Sequence, residues 1–83
     1  LNRVGYDFLF RNQLKSAVDV FKLAISTDPE NANLYDSLGE AYYKLKEYEK
    51  SKANYEKSLK LNPNNSNAKN YIKEINQILS NNK

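Results

Sequence analysis

Two side chains on which much enzyme chemistry depends are missing from this sequence: it has no cysteine and no histidine. The first absence rules out a disulfide framework and a thiolate metal site. The second removes, with the first, the commonest zinc ligands, the usual general base and the Ser-His and Cys-His nucleophile pairs. Ser37 therefore has no imidazole to activate it, and no catalytic residue, metal site or cofactor is expected. No apolar run approaches the ~18 residues of a membrane span, and no secretory signal is visible. β-Branched residues are sparse and polar-apolar alternation is absent, so strands are not expected. A basic stripe is missing too. The net charge is +3, with lysines and glutamates interspersed along the chain, so nucleic acid is not the expected partner.

What remains is an 83-residue chain, 28% charged and 40% hydrophobic, a composition that suits one soluble helical domain with a thin core. The default expectation for its location is the cytoplasm. It begins at Leu1 rather than Met and is expected to be a segment of something longer.

The strongest positive feature is an internal repeat. Gly5 and Gly39 are 34 residues apart, and so are Val4 and Leu38, Phe8 and Tyr42, Leu14 and Tyr48, Ala17 and Ser51, Phe21 and Tyr55, Ala24 and Ser58, and Pro29 and Pro63. Most pairs keep their size class. A run of matches at one offset marks stacked supersecondary units. Helical periodicity then predicts five helices, over residues 2–12, 14–26, 32–45, 48–61 and 67–80. A short Asn-Gln turn separates the first two. Thr27 to Asn31 forms a break in which Asp28 can cap, Pro29 suits a first turn and Glu30 favours a helix start. Asn62 to Asn65 repeats that break. Short loops make neighbouring helices antiparallel. Gly5 and Gly39 fall inside helices, where glycine costs about 1 kcal/mol relative to alanine. Close helix approach, with Ala17 and Ser51 opposite, would offset that cost. The aromatics Phe8, Phe21, Tyr42 and Tyr55 read as core packing rather than as a cofactor pocket.

The spacing and the residues together resemble the tetratricopeptide repeat family, whose 34-residue helix-turn-helix carries a W…L-G…Y…A…F…P pattern. Tyr35 stands at the tryptophan position. Leu38 and Gly39 give the Leu-Gly pair, Tyr42 the tyrosine, Ser51 and Ser58 the small residues, Tyr55 the aromatic and Pro63 the closing proline. The same series begins at Leu1 and runs through Val4, Gly5, Phe8, Ala17, Phe21, Ala24 and Pro29. The departures are the missing tryptophan and serine for alanine twice. The resemblance covers about three quarters of the chain. It implies an all-α fold of antiparallel helix-turn-helix repeats stacked as a right-handed superhelix. The first repeat would occupy residues 1–31, truncated at its start, and the second residues 32–65, with a capping helix and tail over 66–83. The last helix suits that role: Ala68, Tyr71, Ile72, Ile75, Ile78 and Leu79 share one face, with Lys69, Lys73, Glu74 and Gln77 elsewhere. Ser80 to Lys83 read as a frayed end.

The resemblance also implies a function, protein–protein interaction through a concave groove lined by the first helix of each repeat. It places Asn2, Tyr6, Leu9, Asn33, Asp36, Glu40, Tyr43, Lys44, Asn67, Asn70 and Glu74 on or near that face. Asp36, Glu40 and Tyr43 share a helix face, as do Asn67, Asn70 and Glu74. The Lys-Asn-Arg clamp by which one subfamily holds chaperone C-termini is not found. Asp36 and Glu40 would repel an acidic peptide, so a neutral or basic one is expected. At the other end Leu1, Leu9 and Phe10 have no upstream helix to cover them. Two repeats fall short of the three or so usually needed for stability. Upstream repeats, another domain or self-association is expected there. Tyr35 to Tyr42 and Leu1 to Tyr6 are also similar to repeats appended to bacterial serine hydrolases and esterases. That similarity would make the chain a C-terminal accessory or dimerisation domain of a larger protein.

Overall fold

The computed structural model describes the backbone of residues 3–81 and the side chains of residues 11–81. Four α-helices follow one another: α1 (Arg3–Thr27), α2 (Ala32–Lys44), α3 (Tyr48–Leu61) and α4 (Ser66–Asn81), with no strand among the described residues. Each packs against the next in chain order. The expected bounds of α2, α3 and α4 hold to within a residue, and Ser80 and Asn81 extend α4 where a frayed tail was expected.

The expected five helices are four because the first two are one. α1 runs unbroken for 25 residues through the Asn-Gln site. The turn between α2 and α3 shows why. There Lys46 takes a left-handed φ of 64°. The Lys46 amide donates to the Tyr43 carbonyl at 3.0 Å and the Glu47 amide to the Tyr42 carbonyl at 2.9 Å, a Schellman closure of α2. What pins this turn is Leu45, buried against Leu14, Val18, Leu38, Ala41 and Tyr42. One repeat earlier the corresponding residue is Arg11, which is exposed. A turn there has no apolar side chain to bury, and Arg11, Gln13, Leu14 and Lys15 are good helix formers. The helix therefore continues.

The loops carry matching caps. Asn31 caps α2, its side chain accepting from the Asn33 amide at 3.0 Å. One repeat later Asn65 accepts from the Ala68 amide at 3.2 Å at the start of α4. Asp28, the expected cap, lies too far ahead of Ala32. Its carboxylate instead accepts from the Asn31 side chain at 3.1 Å and steadies the residue that does cap.

The core has two parts. One joins α1 to the α2–α3 hairpin through Leu14, Val18, Leu38, Ala41, Tyr42 and Leu45, with Phe21 and Ile25 against it. The other joins that hairpin to α4 through Tyr55, Ala68 and Ile75, flanked by Tyr43, Tyr48, Leu59, Tyr71, Ile72 and Leu79. The expected apolar face of α4 is thus the face that packs. Within the hairpin Gly39 lies under the Tyr55 ring, and the buried Ser51 hydroxyl donates to the Gly39 carbonyl at 2.7 Å. The buried Ser58 hydroxyl donates to the Ala32 carbonyl at 2.9 Å. Both serines keep the small volume that close helix approach needs, and each ties α3 to the backbone of α2.

Candidate peptide-binding groove

α2 and α4 present the polar residues expected to line the groove, and the structure joins most of them to one another. Asp36, on α2, is the centre of one network. Its carboxylate accepts from the Asn65 side chain at 2.7 Å and from the Asn67 side chain at 3.2 and 3.4 Å. Asn65 also donates to the Ser58 hydroxyl at 2.9 Å. One asparagine therefore caps α4, holds α3 and meets the carboxylate on α2. The donors to Asp36 are neutral amides, so its negative charge is oriented but not cancelled.

A second contact lies two turns further along. The Tyr43 hydroxyl donates to the Glu74 carboxylate. The Tyr43 ring meets Tyr71 edge-on, with centroids 5.0 Å apart, and Tyr48 likewise at 5.5 Å. Tyr43, Asn70, Tyr71 and Glu74 line a cleft of about 220 Å³. Glu40 lies on α2 between the two networks and pairs with Lys44 at 3.4 Å, both side chains being 48% exposed. A pair this wet is worth little to stability. Behind this face the buried Tyr55 ring stacks on Tyr71, with centroids 4.9 Å apart and planes 7° apart. Burial pushes the Tyr55 phenol well above its ordinary range, and the neighbouring Asp36, Tyr71 and Glu40 push it the same way.

Of the expected groove residues, Asp36 meets Asn67, Tyr43 meets Glu74 and Glu40 meets Lys44, while Asn70 lines the cleft and Asn33 is exposed at the start of α2. Asn2 lies outside the described residues, as do the side chains of Tyr6 and Leu9. The backbone of Tyr6 and Leu9 lies within the unbroken α1 instead of turning back beside residues 14–27. Among the described residues no group of acidic side chains could hold a metal ion, and no helix is long and apolar enough to cross a membrane. Sequence reasoning placed neither Asn65 nor Tyr71 at this face. The 34-residue offset from Asn31 to Asn65 was the available signal for the first.

The order of helices, the buried small residues under Gly39 and the repeated caps now stand beside the sequence comparisons. A family model described as TPR repeat matches residues 5–46, and one described as tetratricopeptide repeat matches residues 32–65. The chain belongs to the tetratricopeptide repeat family. It is also 32% identical over 80 residues to the anaphase-promoting complex subunit CDC16 of Saccharomyces cerevisiae. That alignment covers 93% of this chain and 10% of the yeast protein. Tetratricopeptide repeat proteins are generally non-catalytic scaffolds for other proteins.

The Asp36 network makes a prediction within the repeat. Asp36→Ala removes the acceptor of two asparagine side chains and is expected to cost about 2 kcal/mol, the range for hydrogen bonds to a charged group. Asp36→Asn, which keeps an oxygen in place, should cost less than half of that. Urea unfolding checks both: the midpoint falls while the slope is unchanged.

Proposed function

We propose that this chain is a non-catalytic interaction module whose α2–α4 face holds a neutral or basic peptide of a partner protein. The observation that carries the reading is the charge of that face. Asp36 and Glu74 accept there from neutral donors, and Glu40 pairs with Lys44. Asn70, Asn67 and Asn33 supply exposed amides able to pair with an extended backbone, and Tyr43 supplies aromatic area with a hydroxyl. In this reading residues 32–65 form one whole repeat and residues 66–83 its cap. Repeats added in the same sense would wind into a right-handed superhelix. The yeast relative, by its name a subunit of a multiprotein complex, supports an assembly role.

The test uses two peptides alike except that the lysines of one are glutamates in the other. Fluorescence anisotropy of labelled peptides is expected to show tighter binding of the basic form, weakening as salt rises. Glu40→Gln with Glu74→Gln should reduce that preference several-fold. Tighter binding of the acidic peptide would sink the reading.

A second reading is an accessory module that docks on, or dimerises, a larger protein. The small share of the yeast relative covered by the alignment favours it, since a stretch like this one there forms a tenth of a long chain. Self-association through Leu1, Leu9 and Phe10 belongs to this reading.

A further inference from the structure

A second cleft lies between α1 and the turn that joins α2 to α3. Its floor is apolar: Val18, Tyr42 and Leu45 line it, each only 6% exposed. Its rim is basic. Lys22 on α1 and Lys50 on α3 reach over the Tyr42 ring, their ammonium groups 6.0 and 5.7 Å from its centroid. Lys15 lines the same space, which measures about 290 Å³. Two carboxylates also stand there, those of Asp19 and Glu47. Glu47 is taken by Lys50 at 3.0 Å. Lys15 and Lys22 pair with no carboxylate among the described residues, Asp19 included. The repeat does not call for these two cations, because Glu49 and Glu56 hold the matching places 34 residues on. On α2, Tyr42 lies more than a quarter turn round from Asp36, Glu40 and Tyr43. This cleft and the α2–α4 face are therefore on different sides of α2.

We propose that this cleft holds an acidic segment of a partner protein, with carboxylates at Lys15 and Lys22 and an apolar side chain on the floor. Charge selects the occupant. Two unpaired ammonium groups beside an apolar floor attract a carboxylate more strongly than they would on an open surface. Spacing defines it further. Lys15 and Lys22 are two turns apart on α1, about 10 Å along the axis. Three residues of extended chain span roughly the same 10 Å. Acids three residues apart, with a leucine between them, therefore meet both lysines and the floor. Asp19 and Glu47 tell against a dense polyanion such as nucleic acid, whose successive phosphates would face them. The inference is independent of whether the α2–α4 face binds a peptide. Peptides without a large apolar side chain, used to test that face, leave this floor empty.

The probe is the peptide acetyl-Ser-Glu-Leu-Ser-Glu-Ser-amide, titrated into the isotope-labelled 83-residue chain and followed by NMR. Saturable shifts are expected at the amides of Val18, Tyr42 and Leu45, with an affinity that falls as salt rises. Lys15→Gln with Lys22→Gln is expected to weaken binding several-fold. Lys69→Gln with Lys73→Gln, which removes the same charge from α4, is expected to leave it unchanged. All four lysines are exposed, so both variants should keep the wild-type circular dichroism. Replacing the leucine of the peptide by serine is expected to abolish saturation. Shifts that miss the floor residues would overturn the proposal. So would equal weakening by the two lysine pairs, undiminished binding of the serine peptide, or a DNA oligonucleotide that shifts the same amides at lower concentration.

Discussion

Tyr55→Ala is expected to cost this chain about 3–5 kcal/mol of stability, whereas Tyr55→Phe leaves it as stable as before or more so. The ring is fully buried, lies against Gly39 and stacks on Tyr71. It is thus the piece that joins α2, α3 and α4. Removing such an aromatic costs about 3–5 kcal/mol, and a domain of this size has roughly 4–12 kcal/mol in all. The hydroxyl is a different matter. It is buried without a hydrogen-bond partner among the described residues, so deleting it is neutral or stabilises by up to about 1 kcal/mol. Phe21 already fills the equivalent place one repeat earlier. The pH dependence follows from the raised phenol pKa. The folded chain keeps the proton that the unfolded chain releases near pH 10. Stability at Tyr55 is therefore full below that pH and is lost as pH rises above it. Denaturant midpoints measured at neutral pH and above pH 10 check all three statements. Wild type should fall between the two pH values by more than Tyr55→Phe does.

Gly39→Val is expected to lower stability by about 3 kcal/mol, the upper range for overpacking a filled core. A β-carbon at Gly39 would lie 3.0 Å from two carbons of the Tyr55 ring and 3.1 Å from a third. The ring has little space to yield, because it is fully buried and stacks on Tyr71 at 4.9 Å. The γ-methyls of valine deepen the overlap, and valine recovers only a few tenths of a kcal/mol of helix propensity over glycine. Gly39→Ala separates the two effects. It regains about 1 kcal/mol of propensity against a smaller overlap, so its net cost should be about 1 kcal/mol. Thermal unfolding followed by circular dichroism checks the series. At about 4–8 °C per kcal/mol for a domain of this size, valine should lower Tm by roughly 15 °C and alanine by roughly 5 °C. An alanine variant more stable than wild type would show that the ring has room to move.

Some of this architecture was legible before any coordinates. The 34-residue offset found the hairpin of α2 and α3, with Gly39, Ser51 and Tyr55 at its centre, because packing partners recur with the repeat. The apolar face of α4 was legible because helical period is local. The pairing of polar residues was not. Asp36, Asn67, Tyr43 and Glu74 were placed on one face one at a time, but that Asp36 meets Asn67 and Tyr43 meets Glu74 depends on how far α4 stands from α2. That spacing is set by Tyr55 and Tyr71 between them. Likewise Asp28 was the expected cap, and only the first turn of α2 shows that Asn31 caps it instead.

By itself, then, the sequence determined the repeat, the all-α class and the faces that bury, since each follows from residue spacing along a single helix. The tertiary structure decided where the chain turns. Leu45 and Arg11 occupy equivalent places in the repeat, yet one ends a helix and the other lies within one. A left-handed turn must be held by something, and Leu45 is held by Leu14 and Val18 of a different helix. That burial exists only once the helices have met.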